Sequence, residues 1–376
     1  MQKAFLIFSG YNFRAIVAFC RELKALNLPF VIIACSENDP VFYTKYKKYV
    51  GAIRVKQELD PEDLEHCIQS IQRKNKNLSF IICPSSEFLN IFLLDNQSFF
   101  ESLGCSIPLV SSSIYEMVSN KDSFSKLCKD NGIPVPKRFS IDKILFPCVA
   151  KPKRNIGSSN KTLYPYILHN VDEYKKMKSE QNDEEYYFEE YIDGESYYIL
   201  LYLSKSDKVI KFSQKNLIQQ SGGKSIVLAR YSKIHNQQIT YQFINILHEI
   251  NFTGIIMIEV RYRNGEFILI EANPRLWGPS QLFVDAGIPI FKTFINDFLN
   301  PNKYNNNKAI IDEDTVYLWF NGLLNTLLSP QKLAWHFPKP TFPLLYILQF
   351  LNKDVYLRPD TINYFFKELT QTIFKK

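Results

Sequence analysis

Paired cysteines are missing from this 376-residue chain. Its seven cysteines are spread singly, and no Cys-x-x-Cys pair occurs. An odd and dispersed set argues against both a disulfide framework and a zinc site. Most of them fall in apolar segments, where cysteine behaves as a small core residue. The positions are Cys20, Cys35, Cys67, Cys83, Cys105, Cys128 and Cys148.

Long apolar runs are also missing. No stretch approaches the ~20 apolar residues that a membrane-spanning helix needs. The run Ala4–Phe8 is too short for the core of a signal peptide, and Ser9-Gly10 follows it as a turn. The sequence therefore predicts no membrane span and an intracellular, cytoplasmic protein.

Two groups of catalytic or cofactor motifs are lacking. Ser9-Gly10-Tyr11 follows the first predicted strand, but without the Gly-x-Gly-x-x-Gly pattern it predicts no dinucleotide site. The five histidines form no Ser/His/Asp or Cys/His arrangement, so the sequence indicates no protein nucleophile.

Positive charge is in excess, because scattered lysines give a net charge of +7. A nucleic-acid surface interleaves arginines and aromatic residues in a stripe, and no such stripe occurs here. We therefore predict no nucleic-acid partner. A solvated lysine-rich surface, with some positive field for an anionic substrate, is the favoured interpretation.

The first 110 residues alternate between strand and helix patterns. Such an alternation predicts a parallel sheet with helices on both faces. Asp60 followed by Pro61 marks a helix start, since Asp suits the cap and Pro the first helical position. The predicted strands are Ala4–Phe8, Phe30–Ala34 and Phe80–Cys83, and the predicted helices are Phe13–Leu26, Pro61–Arg73 and Glu87–Leu94.

Two further units are predicted, at residues 111–300 and 301–376. The first begins with a helix, Ser111–Asn131, that Gly132 ends, and it is strand-rich thereafter. The second is helical and aromatic, with helices at Val316–Leu328 and Phe342–Leu351. The last of these could dock on a membrane surface, but covering another domain's apolar surface is the commoner use.

Glu259 to Arg275 is the most informative segment. Apolar residues alternate on both sides of Asn264-Gly265, which predicts two antiparallel strands joined by a turn. Glu271 and Asn273 are two residues apart on one strand, so they share a face. A three-residue loop, Asn264 to Glu266, pairs Arg263 with Phe267 and sets Glu259 opposite Glu271, beside Arg275.

These carboxylates predict a metal site. Like charges that face each other across a ladder are unfavourable unless something neutralises them. A hard divalent cation does so, and Mg²⁺ prefers a few carboxylate or carbonyl oxygens plus substrate phosphates. The alternative is an exposed hairpin whose acids are merely hydrated. A charged cluster at the end of the apolar strand Phe267–Ile270 favours the site.

Lys151 ends a predicted strand and leads into the small-residue loop Asn155–Asn160. A compact ammonium charge suits polyphosphate, and backbone amides of Gly and Ser can close over phosphates. The stretch does not match the P-loop pattern Gly-x-x-x-x-Gly-Lys-Ser/Thr. A plain basic turn is the alternative, and it holds for most isolated Lys-Pro-Lys-Arg stretches.

The order of these motifs resembles the core of the ATP-grasp superfamily, over about residues 115 to 295. It runs from Lys121 through Gly132-Ile-Pro-Val-Pro136, Lys151 with its loop and Tyr187–Glu195 to the acidic hairpin. The predicted fold class is therefore α/β and α+β. An ATP-grasp domain of two subdomains that hold ATP occupies residues 111–300. A Rossmann-like domain precedes it and the helical extension follows it.

The resemblance implies roles for individual residues. Lys121 and Lys151 contact the phosphates of ATP, and the loop with Gly157, Ser158 and Ser159 covers them. The adenine contacts lie at Glu189, Glu190 and Ile192, and Glu195 is the nearest carboxylate for the ribose. The metal ligands are Glu259, Glu271 and Asn273, for Mg²⁺ with Mn²⁺ as the alternative.

The resemblance also implies a two-step reaction. A carboxylate attacks the γ-phosphate of ATP, which gives an acyl phosphate and ADP, and an amine then displaces phosphate. Arg275 is assigned to the transferring group or the oxyanion, and Lys151 to the phosphates. The expected partners are a small carboxylic acid and an amine, and a homodimer stays open.

A narrower resemblance links Asn273-Pro-Arg-Leu-Trp277-Gly278 to predicted ATP-dependent carboxylate–amine ligases. The chain has Leu276 where that run carries an aromatic residue. Lys215, Ser221, Gly222 and Gly223 are similar to the same group and are assigned to substrate. Since Gly pairs permit hinge geometry, the Ser221 stretch is a candidate mobile loop, with a simple hairpin turn as the alternative.

Two other functions stay open. One is a carboxylase or carbamoyl-phosphate type of ATP-grasp enzyme, against which stand the short chain and the lack of a biotin-carrier segment. The other is a nucleotide-binding module without turnover, against which stands the joint presence of Glu259, Glu271, Asn273, Arg275 and Lys151. The favoured prediction is an ADP-forming carboxylate–amine ligase.

Overall fold

The computed structural model describes residues 2–75, 78–153, 163–299, 310–329 and 332–374. Its N-terminal part consists of β1 (Gln2–Phe8), α1 (Phe13–Ala25), β2 (Phe30–Ala34), β3 (Val50–Ile53), α2 (Pro61–Lys74), β4 (Leu78–Ile82), α3 (Glu87–Asp95), α4 (Gln97–Ser102) and β5 (Cys105–Ser106). Its strands form a parallel sheet in the order β3-β2-β1-β4-β5.

The central strand β1 explains why this sheet is covered on both sides. Ala4–Phe8 is fully buried, so the strand shows a continuous apolar run instead of alternation. Phe5 and Ile7 pack in one apolar cluster, and Ala4, Leu6 and Phe8 pack in another on the opposite face. The predicted alternation of strands and helices is confirmed. Asp60 caps α2 by accepting a hydrogen bond from Asp63 N.

The predicted helix Ser111–Asn131 is two helices, α5 (Ser112–Ser119) and α6 (Lys121–Asp130). Asn120 between them is extended (φ −74°, ψ 118°), and its side chain accepts hydrogen bonds from the first turn of α6. A short polar side chain that caps in this way ends one helix and starts the next. Lys121 therefore stands at the first position of a helix.

Two antiparallel sheets follow. Their elements are β6 (Arg138–Phe139), β7 (Cys148–Pro152), β8 (Tyr166–Leu168), α7 (Val171–Glu180), β9 (Tyr186–Glu190), β10 (Glu195–Leu203), β11 (Val209–Gln220), β12 (Ile226–Ser232), α8 (Gln238–Glu249), β13 (Gly254–Arg263) and β14 (Glu266–Asn273). The smaller sheet has the order β6-β9-β7-β8, and the larger begins with β14-β13-β10-β11-β12.

The C-terminal part adds helices and extends the larger sheet. Strand β15 pairs with β12, and β16 pairs with β11. The predicted helix Val316–Leu328 thus begins as a strand and becomes helical at Phe320. The elements are α9 (Gln281–Asp285), α10 (Ile290–Leu299), β15 (Val316–Leu318), α11 (Phe320–Leu327), β16 (Leu333–Trp335), α12 (Pro343–Leu348) and α13 (Ile362–Ile373).

Apolar packing joins the parallel sheet to the larger antiparallel sheet. One buried cluster includes Phe5 and Phe19 from the N-terminal part, Leu200 and Phe212 from β10 and β11, and Phe291 from α10. Burial of that many large side chains fixes the two sheets relative to each other. Among the described residues, no helix is long and apolar enough to cross a membrane.

Candidate active site

The hairpin of β13 and β14 turns differently from the prediction. Asn264 and Gly265 form a two-residue turn in which both have positive φ (53° and 88°), and Arg263 pairs with Glu266. The predicted three-residue loop, which pairs Arg263 with Phe267, is therefore wrong. Two positive φ values match the type I′ turn that an Asn-Gly dipeptide favours.

A β-bulge provides the register that the loop was predicted to provide. Val260 pairs with Leu269, but the next pair is Glu259 with Glu271, so Ile270 has no counterpart on β13. One extra residue reverses the face to which the following side chains point. Glu259 and Glu271 therefore face each other on the same side of the sheet, as predicted.

Asn273 and Arg275 extend this pair into a cluster. The Asn273 Nδ2 donates a hydrogen bond to Glu271 Oε1 (2.9 Å), and Arg275 Nη2 donates to Asn273 Oδ1 (3.2 Å). Arg275 Nη1 also donates to the Leu276 carbonyl oxygen (3.0 Å). The structure thus brings together the acids, the carboxamide and the guanidinium that the sequence predicted to converge.

The two carboxylates differ in their electrostatic surroundings. Burial raises the pKa of Glu259 to about 7, against the opposing charge of Arg261, whose Nη2 lies 3.4 Å from Glu259 Oε1. Burial also raises the pKa of Glu271, but the ammonium groups of Lys121 and Lys151 outweigh it and the net pKa is lowered. Lys121 Nζ lies 3.6 Å from Glu271 Oε2. Glu271 is therefore ionised at neutral pH, whereas Glu259 is only partly ionised.

Lys151 joins the smaller sheet to the bulge of the larger one. Its side chain is buried, forms an ion pair with Glu189, and donates a hydrogen bond to the Ile270 carbonyl oxygen (3.1 Å). Ile270 is the unpaired residue of the bulge, so its carbonyl is free to accept. The predicted phosphate ligand Lys151 thus lies against the acidic cluster.

The predicted adenine segment lies at the end of β9. Glu189 directs its carboxylate to Lys151, Glu190 pairs with Arg263 Nη1 (2.7 Å), and Ile192 is buried. The amide of Glu190 donates to the Lys137 carbonyl oxygen (2.8 Å). Its side chain therefore links the two antiparallel sheets, whereas its amide bonds within the smaller sheet.

Glu195 and Lys215 lie on the other face of the larger sheet. Glu259 pairs with Tyr198, whereas Lys215 pairs with Tyr197, and successive residues of a strand point to opposite faces. Glu195 shares the face of Tyr197, accepts a hydrogen bond from its hydroxyl (2.5 Å), and forms an ion pair with Lys215. The structure does not bring these two predicted ligands to the face of the acidic cluster.

Of the two loops predicted to contact ligands, the structure describes the second, at Ser221 to Gly223. Gly157, Ser158 and Ser159 fall outside the described residues. Ser221 begins a tight turn after β11, and Gly222 and Gly223 have positive φ (75° and 72°). Since L side chains adopt such φ values rarely, glycine at both positions suits this turn.

A polar connection that was not predicted runs from the acidic cluster to the C-terminal segment. Arg261, beside Glu259, donates a hydrogen bond from Nη1 to His336 Nδ1 (2.9 Å), so His336 Nε2 carries the proton and donates to Gln219 Oε1 (3.1 Å). Burial and the charge of Arg261 lower the pKa of His336 to about 3. Spacing along the chain could not reveal this contact, since His336 lies 75 residues from Arg261.

Buried polar residues of β10 and β11 were also missed. Asn216 Nδ2 donates to Ser196 Oγ (2.9 Å), and Gln214 Nε2 donates to Asn216 Oδ1 (2.7 Å), all of them fully buried. Gln214 pairs with Tyr198, which pairs with Glu259, so this polar row continues from the acidic cluster. The available signal was the run of four polar residues from Ser213 to Asn216, between the apolar residues Phe212 and Leu217.

Comparison with known proteins matches part of the chain to a family model and the fold to solved structures. Residues 118–279 match the family model of an ATP-grasp domain. No curated protein sequence matches the chain. The solved structures that resemble it do so at low sequence identity, so they bear on the fold alone.

Three of these structures serve as examples. Biotin carboxylase from Campylobacter jejuni, as a β-γ-ATP complex, has a TM-score of 0.59 and 17% identity, over 84% of this chain and 74% of that one. The biotin carboxylase domain of Hydrogenobacter thermophilus 2-oxoglutarate carboxylase, with MgADP and bicarbonate, has a TM-score of 0.60 and 16% identity, over 84% and 73%. N5-carboxyaminoimidazole synthetase from Staphylococcus aureus, complexed with ADP, has a TM-score of 0.59 and 14% identity, over 82% and 81%.

Proposed function

We propose that this protein, whose residues 118–279 form an ATP-grasp domain, is an ATP- and Mg²⁺-dependent ligase that joins a carboxylate to an amine. The observation that carries the proposal is the convergence at the bulged hairpin. Glu259, Glu271 and Asn273 lie together there, with the cations Arg275 and Lys151 on either side. Phosphoryl transfer depends on alignment and charge neutralisation, which this arrangement supplies.

The donor set fits Mg²⁺. Among the described residues, no group of three or more His, Cys, Asp or Glu could hold a metal ion by itself. The cluster instead offers the carboxylates of Glu259 and Glu271 and the carboxamide of Asn273. Mg²⁺ suits a site with one or two protein carboxylates that leaves positions for substrate phosphates, and Mn²⁺ is an alternative with similar ligands. When bound, the ion supplies positive charge against the phosphates.

The nucleotide lies between the two antiparallel sheets in this proposal. Lys151 on β7 and Lys121 at the start of α6 reach the same carboxylate cluster from different elements. Both can turn to phosphate oxygens, because an ammonium group bonds without a fixed plane. The segment Glu189 to Ile192 then contacts the adenine. The three solved structures named above are complexes with β-γ-ATP, MgADP or ADP, which supports a nucleotide site in this fold.

The reaction proceeds through an acyl phosphate. The substrate carboxylate attacks the γ-phosphorus of ATP, the bond to the β,γ-bridging oxygen breaks, and ADP leaves. The amine then attacks the acyl carbon, loses a proton and expels phosphate. Hydrogen bonds from Arg275 to Asn273 and Leu276 fix the plane of its guanidinium. The remaining N–H groups of Arg275 donate to the oxygens that gain charge during the reaction.

The test is ADP release with mixed pools of carboxylic acids and amines, with bicarbonate as one of the acids. We expect ADP formation that requires both an acid and an amine, and a product that contains an amide bond by mass spectrometry. Turnover with bicarbonate and no other acid would assign the protein to the carboxylases instead. Nucleotide binding without turnover on any pool would make it a binding module.

Lys151→Met is expected to weaken ATP binding by at least about tenfold, since it removes a charge-assisted contact to phosphate. Because the change also leaves Glu189 buried and unpaired, the comparison is made in a Glu189→Gln background. Calorimetric titration of both proteins with ATP and Mg²⁺ measures the effect. Lys178→Met, on the exposed face of α7, is the matched control, and equal affinities of all three proteins would assign Lys151 a structural role only.

A further inference from the structure

The parallel sheet has its own ligand-binding edge. With the strand order β3-β2-β1-β4-β5, the chain runs outward from β1 to β3 on one side and through β4 to β5 on the other. The loops after β1 and β4 therefore leave in opposite directions and open a crevice at the carboxyl ends of these strands. In open α/β sheets, ligands bind at this point.

Arg54 at this edge is a buried cation that has no carboxylate partner among the described residues. It follows β3 directly, and only 5% of its surface is exposed. Among the residues that the structure describes, its buried Nε and Nη1 have no hydrogen-bond partner and no carboxylate lies within 4.0 Å of its guanidinium. Buried guanidinium groups are nearly always paired, because an uncompensated charge in the interior is costly. Arg54 therefore has the character of a ligand-binding group.

The loop between β1 and α1 lies over Arg54. The Arg54 guanidinium carbon lies 5.6 Å from the ring centroid of Tyr11, and that ring lies 5.9 Å from the ring of Phe88, which follows β4. Helix α1 begins at Phe13, and its N-cap residue Asn12 makes no capping hydrogen bond with its side chain. Ala15 N and Ile16 N donate to the Asn12 carbonyl oxygen, so the amides left for a ligand at the positive end of this 13-residue helix are those of Phe13 and Arg14, close to Tyr11 in the chain.

One carbonyl connects this crevice to the acidic cluster. Asn12 Nδ2 donates to the Leu276 carbonyl oxygen (2.8 Å) and to the Ser85 carbonyl oxygen (3.1 Å). Arg275 Nη1 donates to the same Leu276 oxygen (3.0 Å). The loops after β1 and β4 therefore lie directly beside the guanidinium assigned to phosphoryl transfer.

We propose that Arg54, Tyr11 and the N-terminus of α1 form an anion-binding subsite for a carboxylate or phosphate group of the substrate. Since it names the substrate class, this inference rests on the proposed ligase function. The bound group lies at the end of the substrate remote from the reacting atoms, and the rest of the substrate extends along Tyr11 and Asn12 toward Arg275. The substrate is thus a small molecule with a second anionic group.

A bound anion stabilises the Arg54 guanidinium in two ways. An oxygen anion that accepts from the guanidinium forms a charge-assisted hydrogen bond, which the described residues do not provide to Nε or Nη1. It also neutralises the buried charge, which the ring face of Tyr11 does only partly. A purely structural arginine at this place gains neither, so the two roles differ in what its removal does to stability.

The experiment measures anion binding by Arg54→Met and by a control, Arg73→Met. Arg73 lies exposed on α2 in the same sheet unit, so both variants lose one positive charge. Saturating Mg²⁺ and a non-hydrolysable ATP analogue first fill the nucleotide site. Inorganic phosphate and acetate are then titrated separately by calorimetry at constant ionic strength, and the melting temperature of each ligand-free protein is recorded.

We expect wild type and Arg73→Met to bind one of the two anions equally well, and Arg54→Met to bind it at least tenfold more weakly. The anion that binds identifies the group as phosphate or carboxylate. We also expect Arg54→Met to melt no lower than wild type, because it removes an uncompensated charge. Unchanged anion binding, or no binding by wild type, overturns the subsite, as does a lower melting temperature with binding intact.

These results are independent of the turnover assay. Loss of anion binding in Arg54→Met with no turnover on any acid and amine pool leaves the subsite standing and removes the proposed ligase function. Turnover with anion binding that ignores Arg54 does the reverse. If both hold, Arg54→Met should raise the KM for the substrate at least tenfold and leave the affinity for ATP unchanged.

Discussion

Replacing Glu271 with Gln is expected to slow substrate-dependent ADP formation by about a thousandfold, as the loss of one strong electrostatic contact at a reacting phosphate does. Glu271 is ionised at neutral pH, because Lys121 and Lys151 lower its pKa. Gln keeps the size of the side chain and an oxygen that can accept from Asn273 Nδ2. The fold is therefore retained while the negative charge needed for Mg²⁺ is lost.

Glu266→Gln is the matched control for this variant. Glu266 begins the same strand, is exposed beside the turn, and loses the same charge. Initial rates with ATP and saturating Mg²⁺ should match wild type for Glu266→Gln only. Titration with Mg²⁺ should show a higher requirement in Glu271→Gln. Near-normal rates and an unchanged Mg²⁺ requirement in Glu271→Gln would contradict the metal site.

The acidic hairpin shows what local sequence can and cannot predict. Side chains two apart on a strand share a face, so the grouping of Glu271 with Asn273 followed from period alone. The prediction that Glu259 and Glu271 face each other was also confirmed, but the three-residue loop predicted as its cause was wrong. The turn at Asn264 has two residues, as its dipeptide favours, and the bulge at Ile270 corrects the register.

The bulge could not be read from the sequence because a distant residue supports it. The freed carbonyl of Ile270 accepts from Lys151, 119 residues earlier in the chain. Nothing in the apolar run Phe267–Ile270 distinguishes a bulged strand from a regular one. Contacts of this kind form only once two sheets meet, and they decide which face a side chain reaches.

Strand pairing also explains why Lys215 and Glu195 are on the face opposite to Glu259. The face of a residue relative to another strand depends on how β10 pairs with both β11 and β13. Local alternation gives the faces within one strand and leaves this relation open. For helices the limit was different, since Asn120 divides the predicted helix Ser111–Asn131 by capping its second half.

Arg275→Lys is expected to slow ADP formation by roughly a hundredfold or more while ATP affinity stays within a few-fold of wild type. Arg275 follows Asn273 and is held by two hydrogen bonds, to Asn273 Oδ1 and to the Leu276 carbonyl oxygen. These bonds fix the guanidinium plane before the substrate arrives. A lysine keeps the charge but has one nitrogen, so it cannot hold both contacts and face the reacting group.

The measurement separates binding from turnover. Calorimetry gives the affinity for ATP and Mg²⁺, and initial rates with the productive acid and amine give kcat. Arg73→Lys is the control, because Arg73 is exposed on α2, outside the acidic cluster and the nucleotide site. It should turn over like wild type. If Arg275→Lys also turns over normally, or if it loses ATP affinity in proportion to kcat, Arg275 does not stabilise the transferring group. The reaction then depends on the lysines and the metal-binding acids alone.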